Sequence, residues 1–131
     1  ILFQIYSIEG VLYFQDKKYD KSQAILIKAL KRFPDHPQVP RLLFLLDQSF
    51  KKMKDSRQWE VLLNEIEKNT KFLPESRIVS DFLLGNIYFS QNKYKTALPF
   101  YFNVINHKKY REKALEKIVF SYYYLKKFKE A

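Results

Sequence analysis

Residues 84–97 read LGNIYFSQNKYKTA, and in this stretch Gly85 is followed at fixed spacings by Tyr88, Tyr94 and Ala97. Two other parts of the chain keep this order of small, aromatic, aromatic and small residues, namely Gly10, Tyr13, Tyr19 and Ser22, and Val119, Tyr122, Phe128 and Ala131. Val119 lies 34 residues after Gly85, and Gly85 lies 75 residues after Gly10, close to two such periods. A period of this length predicts stacked helical hairpins, in which each unit buries its apolar face only against its neighbours.

The composition of the 131-residue chain favours an all-α fold. Hydrophobic residues make up 47% of it, enough for a continuous core, and no apolar run approaches the roughly 18 residues of a membrane helix. Two glycines and five prolines are too few turn residues for an all-β fold. Because cysteine is absent, disulfides and thiolate metal sites are excluded, while the redox compartment stays open.

The spacing of apolar residues predicts about seven helices in a single domain. The predicted helices are 3–15, 19–33, 41–53, 57–72, 78–90, 93–107 and one that begins near Arg111, after which Phe128 starts a further helix. Three prolines within 34–40 mark the clearest loop, and Pro40 is expected to open the third helix. Pro74 is expected to close the second pair, and Pro99 to kink the sixth helix or cost about 3 kcal/mol relative to alanine.

These residues resemble the tetratricopeptide repeat family, whose pattern places small residues where two helices cross, aromatic residues beside them and a proline at the end. The first copy fills the slots with Gly10, Tyr13, Tyr19, Ser22, Leu26, Ala29 and Pro34. The resemblance implies a right-handed superhelix of antiparallel helix pairs, with repeat 1 at 3–38, a divergent repeat 2 at 39–76, repeat 3 at 77–111 and a truncated repeat 4 at 112–131. We expect the chain to be a fragment of a longer protein, with any signal peptide or lipid anchor outside it.

The second copy departs most from the pattern. Aligned through Phe50, it has Asp47 in the small slot, and extra residues near Asp55 are needed to bring the remainder, from Trp59 onward, into line. If Asp47 is buried there, the expectation is a structural pairing with a nearby cation, Arg41 or Lys51.

In the resembling family the concave face is lined by the first helix of each pair, which implies an aromatic groove with basic and amide side chains. The candidate partner-binding residues on that face are Phe14, Arg41, Phe44, Gln48, Lys51, Phe82, Asn86, Phe89, Phe120 and Tyr123. Aromatic anchors, together with amides that can bond an extended backbone, suit a peptide or a partner's helix. For each aromatic residue, a place in the core is an open alternative. The family's clamp for chaperone C-terminal carboxylates is not expected, since only Arg41 fits its slots.

The net charge of +10 raises RNA binding by a basic helical repeat as an alternative function. The lysines cluster at helix ends and turns, as at 17–18, 51–54, 108–109 and 126–129, while the predicted groove is mostly apolar. We therefore expect a protein partner rather than nucleic acid. The positive charge is expected to interact with an acidic protein or with an anionic membrane surface.

No enzymatic activity, cofactor or metal site is expected. The sequence has no glycine-rich phosphate loop and no serine elbow, and His36 and His107 lack the neighbours of a metal site and are expected to be exposed. The prediction is a scaffold that docks another protein within a larger assembly. The segment 30–37 resembles the repeat-closing loops of bacterial envelope proteins of this family, which favours the periplasm or cell envelope over the cytoplasm.

Overall fold

The computed structural model describes the backbone of residues 1–130 and the side chains of residues 1–127. That part of the chain forms seven α-helices and no β-strand, which confirms the predicted all-α class. The helices are α1 (Leu2–Gln15), α2 (Tyr19–Arg32), α3 (Val39–Lys52), α4 (Ser56–Lys68), α5 (Pro74–Ser90), α6 (Tyr94–Phe102) and α7 (Arg111–Glu130). In the fourth copy of the signature, the side chain of Phe128 and the whole of Ala131 lie outside the described residues.

Each helix packs against the next one along the chain, from α1 on α2 to α6 on α7. In addition α1 contacts α3 and α3 contacts α5, so these three helices lie side by side. One hydrophobic cluster runs through all seven helices, from Phe3 in α1 to Ile118 in α7, with Trp59 and Tyr101 among its largest fully buried side chains.

The first three helix pairs cross at residues that stand in the same relative positions. Ser22 Oγ donates a hydrogen bond of 2.7 Å to the backbone oxygen of Gly10, twelve residues earlier. A methyl group on Gly10 would overlap the Leu26 side chain, and one on Gly85 would come within 2.8 Å of the Tyr101 ring. Both glycines are therefore required for close approach of the helices, as the sequence predicts.

The turns inside these three pairs also match. Each contains one non-glycine residue in the left-handed region, and the next helix begins two residues later; the three residues are Lys17 (φ 60°), Lys54 (φ 55°) and Asn92 (φ 62°). The prediction that the second pair contains extra residues near Asp55 is therefore wrong. Trp59 itself occupies the small slot, at the same twelve-residue distance from Asp47 as Ser22 from Gly10.

Several helix ends differ from their predicted positions. Pro74 does not close the second pair but is the first residue of α5, where its missing N–H is tolerated and its fixed φ suits a helix. α4 ends at Lys68 because the Asn69 side chain accepts a hydrogen bond of 3.0 Å from the Lys71 N–H, which forms a turn. Pro99 lies inside α6, and the helix ends at Phe102 rather than at 107.

α7 is one continuous helix of 20 residues, so the predicted break before Phe128 is wrong. Lys126 stands where Lys17 and Asn92 bend the first and third pairs, yet it continues the helix. The left-handed conformation costs about 1 to 2 kcal/mol for a residue with a side chain. Leucine and lysine, which precede and follow this position, have high helix propensity and do not interrupt α7.

Candidate functional site

A cavity of about 670 Å³ opens between α1 and α3, and we call it the α1–α3 cavity. Its apolar wall comes from Ile8, Val11 and Leu12 of α1 and from Leu42 and Leu45 of α3. Four amide side chains also line it, those of Gln4, Gln15, Gln38 and Gln48. Such a combination offers apolar contact to side chains and hydrogen bonds to an extended backbone.

Arg41 is the single charged side chain in the lining of this cavity. It is exposed, and the ion pairs among the described residues, Lys51 with Asp47 and Lys109 with Glu75, do not include it. The cavity therefore presents one uncompensated positive charge beside an apolar wall.

The structure brings three of the predicted binding residues together in the α1–α3 cavity, namely Arg41, Phe44 and Gln48. Phe14 is not among the lining residues; its ring packs edge-on against Tyr19, with 5.3 Å between centroids, beside the turn that follows α1. Ile8 and Leu12 were missed as binding residues. Their spacing of four, on a helix face that stays exposed, is the sequence signal that could have found them.

His36 forms part of the same lining, and the prediction that both histidines are exposed is wrong. The imidazole of His36 stacks on Phe3 with 3.6 Å between ring centroids and 13° between planes. Its Nδ1 accepts a hydrogen bond of 3.1 Å from the Gln38 N–H. His107 is half-buried against Tyr110, with 5.0 Å between the rings.

A second cavity, of about 430 Å³, is lined by residues of α3, α4, α5 and α7 and of the turn between α3 and α4, and we call it the lysine cavity. Predicted residues Lys51, Asn86 and Phe89 line it, together with Lys54 and Lys117, which were not predicted. Lys54 was missed because it lies in a turn. Lys117 was missed because its distance from Phe89 of α5 depends on how α7 is placed relative to α5.

Asp47 is buried in the wall of the lysine cavity and is held by two donors. Trp59 Nε1 donates to Asp47 Oδ1 at 2.9 Å, and Lys51 Nζ lies 3.1 Å from Asp47 Oδ2. The structural pairing that the sequence predicted for this carboxylate is thereby confirmed with Lys51.

Most of the predicted aromatic residues belong to one series of ring contacts that tyrosines connect. Centroid distances along it are 6.1 Å for Phe44–Tyr110, 6.3 Å for Tyr110–Phe82, 6.2 Å for Phe82–Tyr101, 6.5 Å for Tyr101–Phe89, 6.2 Å for Phe89–Tyr124, 6.5 Å for Tyr124–Phe120 and 5.4 Å for Tyr124–Tyr123. Phe82 is 7% exposed and belongs to the core, whereas Phe120 and Tyr123 are 43% and 58% exposed. The core alternative therefore holds for Phe82, and the far end of the series is accessible.

The most strongly perturbed carboxyl group lies on α5, outside both cavity linings. The pKa of Asp81 is raised from 3.8 to about 8, mainly by burial and then by a hydrogen bond with Glu67 and the negative charge of Glu67, while the nearby Arg77 acts in the opposite direction. Asp81 and Glu67 thus form a carboxyl pair that retains a proton near neutral pH. The position of this pair between α4 and α5 indicates a role in helix packing.

Among the side chains of residues 1–127, no cluster of three or more histidine, aspartate or glutamate residues could hold a metal ion. None of the described helices combines the length and apolar character needed to cross a bilayer. No protein-family model, curated protein or solved structure matches this chain.

Proposed function

We propose that this chain is a tetratricopeptide-like, non-enzymatic scaffold that docks a peptide or helix of another protein. The observation that carries the proposal is the α1–α3 cavity, in which an apolar wall stands beside four glutamines and the single charged side chain of Arg41. Apolar side chains of a partner would fill the wall, and the glutamines would bond its backbone.

Two features favour protein over nucleic acid as the partner. A phosphate backbone is bound by many lysine and arginine contacts, and the α1–α3 cavity offers one. Its walls also lack a face of exposed aromatic rings on which successive bases could stack, since Phe44 is half-buried and Phe3 is covered by His36. RNA binding is therefore kept as the alternative that the experiment below distinguishes from peptide docking. The bacterial envelope setting stays a prediction.

The proposal is tested by selecting peptides from a random 12-residue display library on the immobilised protein and measuring their affinities by fluorescence anisotropy. Ile8→Asp places a charge in the apolar wall at a position that is 60% exposed, so the fold should tolerate it. Val61→Asp is the matched control, because Val61 is 55% exposed on α4 and lines neither cavity.

We expect Ile8→Asp to weaken the selected peptides at least tenfold and Val61→Asp to change their affinity less than twofold. Equal affinities for the two variants would overturn the assignment of the site. Failure to select any peptide, combined with salt-sensitive binding of single-stranded RNA, would favour the alternative function.

A further inference from the structure

Helix α3 contributes residues to the linings of both the α1–α3 cavity and the lysine cavity. Gln48 lines the first cavity and Lys51, almost one turn later on the same helix, lines the second. A peptide lying across α3 would therefore reach both.

The acidic side chain of Asp47 is already satisfied within the cavity wall. One of its carboxylate oxygens accepts a hydrogen bond from Trp59 and the other pairs with Lys51. The charges of Asp47 and Lys51 therefore compensate each other. The remaining charged side chains in the lining are Lys54, Lys117 and Asp55, which gives an excess of positive charge.

Two donors in the lining are held in place. Lys117 Nζ lies 4.3 Å from the centroid of the Phe89 ring, a cation–π contact, and has no ion-pair partner among the described residues. The Tyr101 hydroxyl donates to Asn86 Oδ1 at 2.7 Å, which uses the acceptor of this amide and leaves its NH₂ group as a donor. Asn86 and Lys117 project from α5 and α7, on two sides of the cavity.

We propose that the lysine cavity binds the side-chain carboxylate of an acidic residue in the docked peptide, with Lys117, Lys54 and the Asn86 amide as donors. This inference rests on the proposed function, because it assigns a second contact to the same partner. A carboxylate accepts hydrogen bonds from an ammonium and an amide at once, and the half-buried Phe89 would provide apolar contact for the methylenes of a glutamate.

The test uses the display-selected peptides, all with amidated C-termini so that only side chains carry a carboxylate. Each acidic peptide is compared with its Glu→Gln form on the wild-type protein, on Lys117→Gln and on the control Lys95→Gln. Lys95 is exposed on α6 and lines neither cavity, so its substitution removes the same charge elsewhere.

We expect the Glu→Gln change to weaken binding about tenfold on the wild type and on Lys95→Gln, and less than twofold on Lys117→Gln. The discrimination between the two peptides therefore falls at least fivefold, or by about 1 kcal/mol, when this lysine is replaced. A second variant, Lys54→Gln, should reduce the discrimination in the same direction. Circular dichroism would verify that each variant is folded.

A third measurement does not depend on a peptide. N-acetylglutamate amide, titrated into ¹⁵N-labelled protein, should shift the Asn86 side-chain NH₂ resonances, and N-acetylglutamine amide should not. Equal effects of Lys117→Gln and Lys95→Gln would assign the preference to overall charge and overturn the proposal. Selected peptides that bind but show no Glu→Gln effect would overturn it while leaving peptide docking intact.

Discussion

Trp59 Nε1 donates a 2.9 Å hydrogen bond to Asp47 Oδ1 at the crossing of α3 and α4, in the place where Ser22 contacts Gly10 in the first pair. The second pair thus replaces two small residues by a carboxylate and a buried indole. Phe50 stacks on Trp59 with 5.0 Å between centroids, and Lys51 pairs with the other carboxylate oxygen at 3.1 Å. The hydrogen-bonded residues Asp47 and Trp59 therefore form the crossing of α3 and α4, whereas small residues form the crossings of the first and third pairs.

Replacing Asp47 by alanine should destabilise the protein by about 1 to 3 kcal/mol, because the buried Trp59 N–H loses its acceptor. Asp47→Asn retains an acceptor oxygen and should cost less. Urea denaturation followed by circular dichroism measures both changes. Lys51→Ala is the control, since its ammonium is largely exposed and the pair should be worth under about 1 kcal/mol. A Lys51→Ala effect as large as that of Asp47→Ala would contradict the assigned role of the indole hydrogen bond.

Gly85→Ala should destabilise the third pair although alanine has the higher helix propensity, which alone would favour the variant by about 1 kcal/mol. The added methyl group would lie 2.8 Å from the Tyr101 ring, which is fully buried and cannot move freely. We expect a net loss of roughly 1 to 3 kcal/mol in the free energy of unfolding. Lys95→Ala, at an exposed position on the neighbouring helix α6, should change it by less than about 0.5 kcal/mol. A Gly85→Ala variant as stable as the wild type would show that the helices separate easily at this crossing.

The Asp81 carboxyl group should make stability fall as pH rises. Its pKa in the folded protein is about 8, above the ordinary value of 3.8, so between these values the folded state holds more protons than the unfolded state. The contribution is complete below pH 4 and is lost as pH rises through 8. Asp81→Asn should therefore be the more stable protein at pH 9, by on the order of 1 to 3 kcal/mol, and should approach the wild type near pH 4.

Urea titrations of wild type and Asp81→Asn at several pH values between 4 and 9 measure this difference directly. Glu67→Gln should change the wild-type profile in the same direction but less, since burial is the larger cause of the raised pKa and the neighbouring Glu67 the smaller. A difference between wild type and Asp81→Asn that stays constant over this range would contradict the assignment.

The series of aromatic rings should divide into core and surface members. Phe82→Ala, at a position 7% exposed, should cost about 3 to 5 kcal/mol. The double variant Phe120→Ala and Tyr123→Ala should change stability by about 0.5 kcal/mol or less per residue, because both side chains are exposed. Thermal unfolding of the two proteins distinguishes the roles. Comparable losses would mean that the exposed end of the series is also part of the core.

Periodicity was sufficient for the helices and for the crossings at Gly10 and Gly85, because small residues and apolar spacing act locally. The register of the second pair could not be predicted in this way. In the sequence, a tryptophan in a slot for a small residue suggests a misalignment. The hydrogen bond between Trp59 and Asp47 explains why the tryptophan is there, but this bond is seen only once the helices are packed. The continuation of α7 through Lys126 was missed for a related reason, since Lys17 and Lys54 show that lysine is compatible with the bend as well.

The candidate site was only partly predictable. Arg41, Phe44 and Gln48 follow from the position of α3 in the pattern and do share a cavity. The apolar contribution of Ile8 and Leu12 was overlooked because neither residue falls in a slot that the resembling family places on its concave face. Lys117 could not be placed, since its distance to Phe89 depends on the relative rotation of α5 and α7.

The ring contact between Phe44 and Tyr110 joins α3 to the residue that precedes α7, and so connects segments that are not consecutive neighbours. Tyr110 is further anchored by its hydroxyl, which donates to Glu75 Oε1 at 3.1 Å. In a row of hairpins that otherwise touch only their neighbours, lengthening the row would require this contact to break, so we expect the contact to resist such a change. Since Phe44 also lines the α1–α3 cavity, we expect a peptide bound there to affect the position of α7. The width of the lysine cavity, to which α7 contributes Lys117, should then change as well.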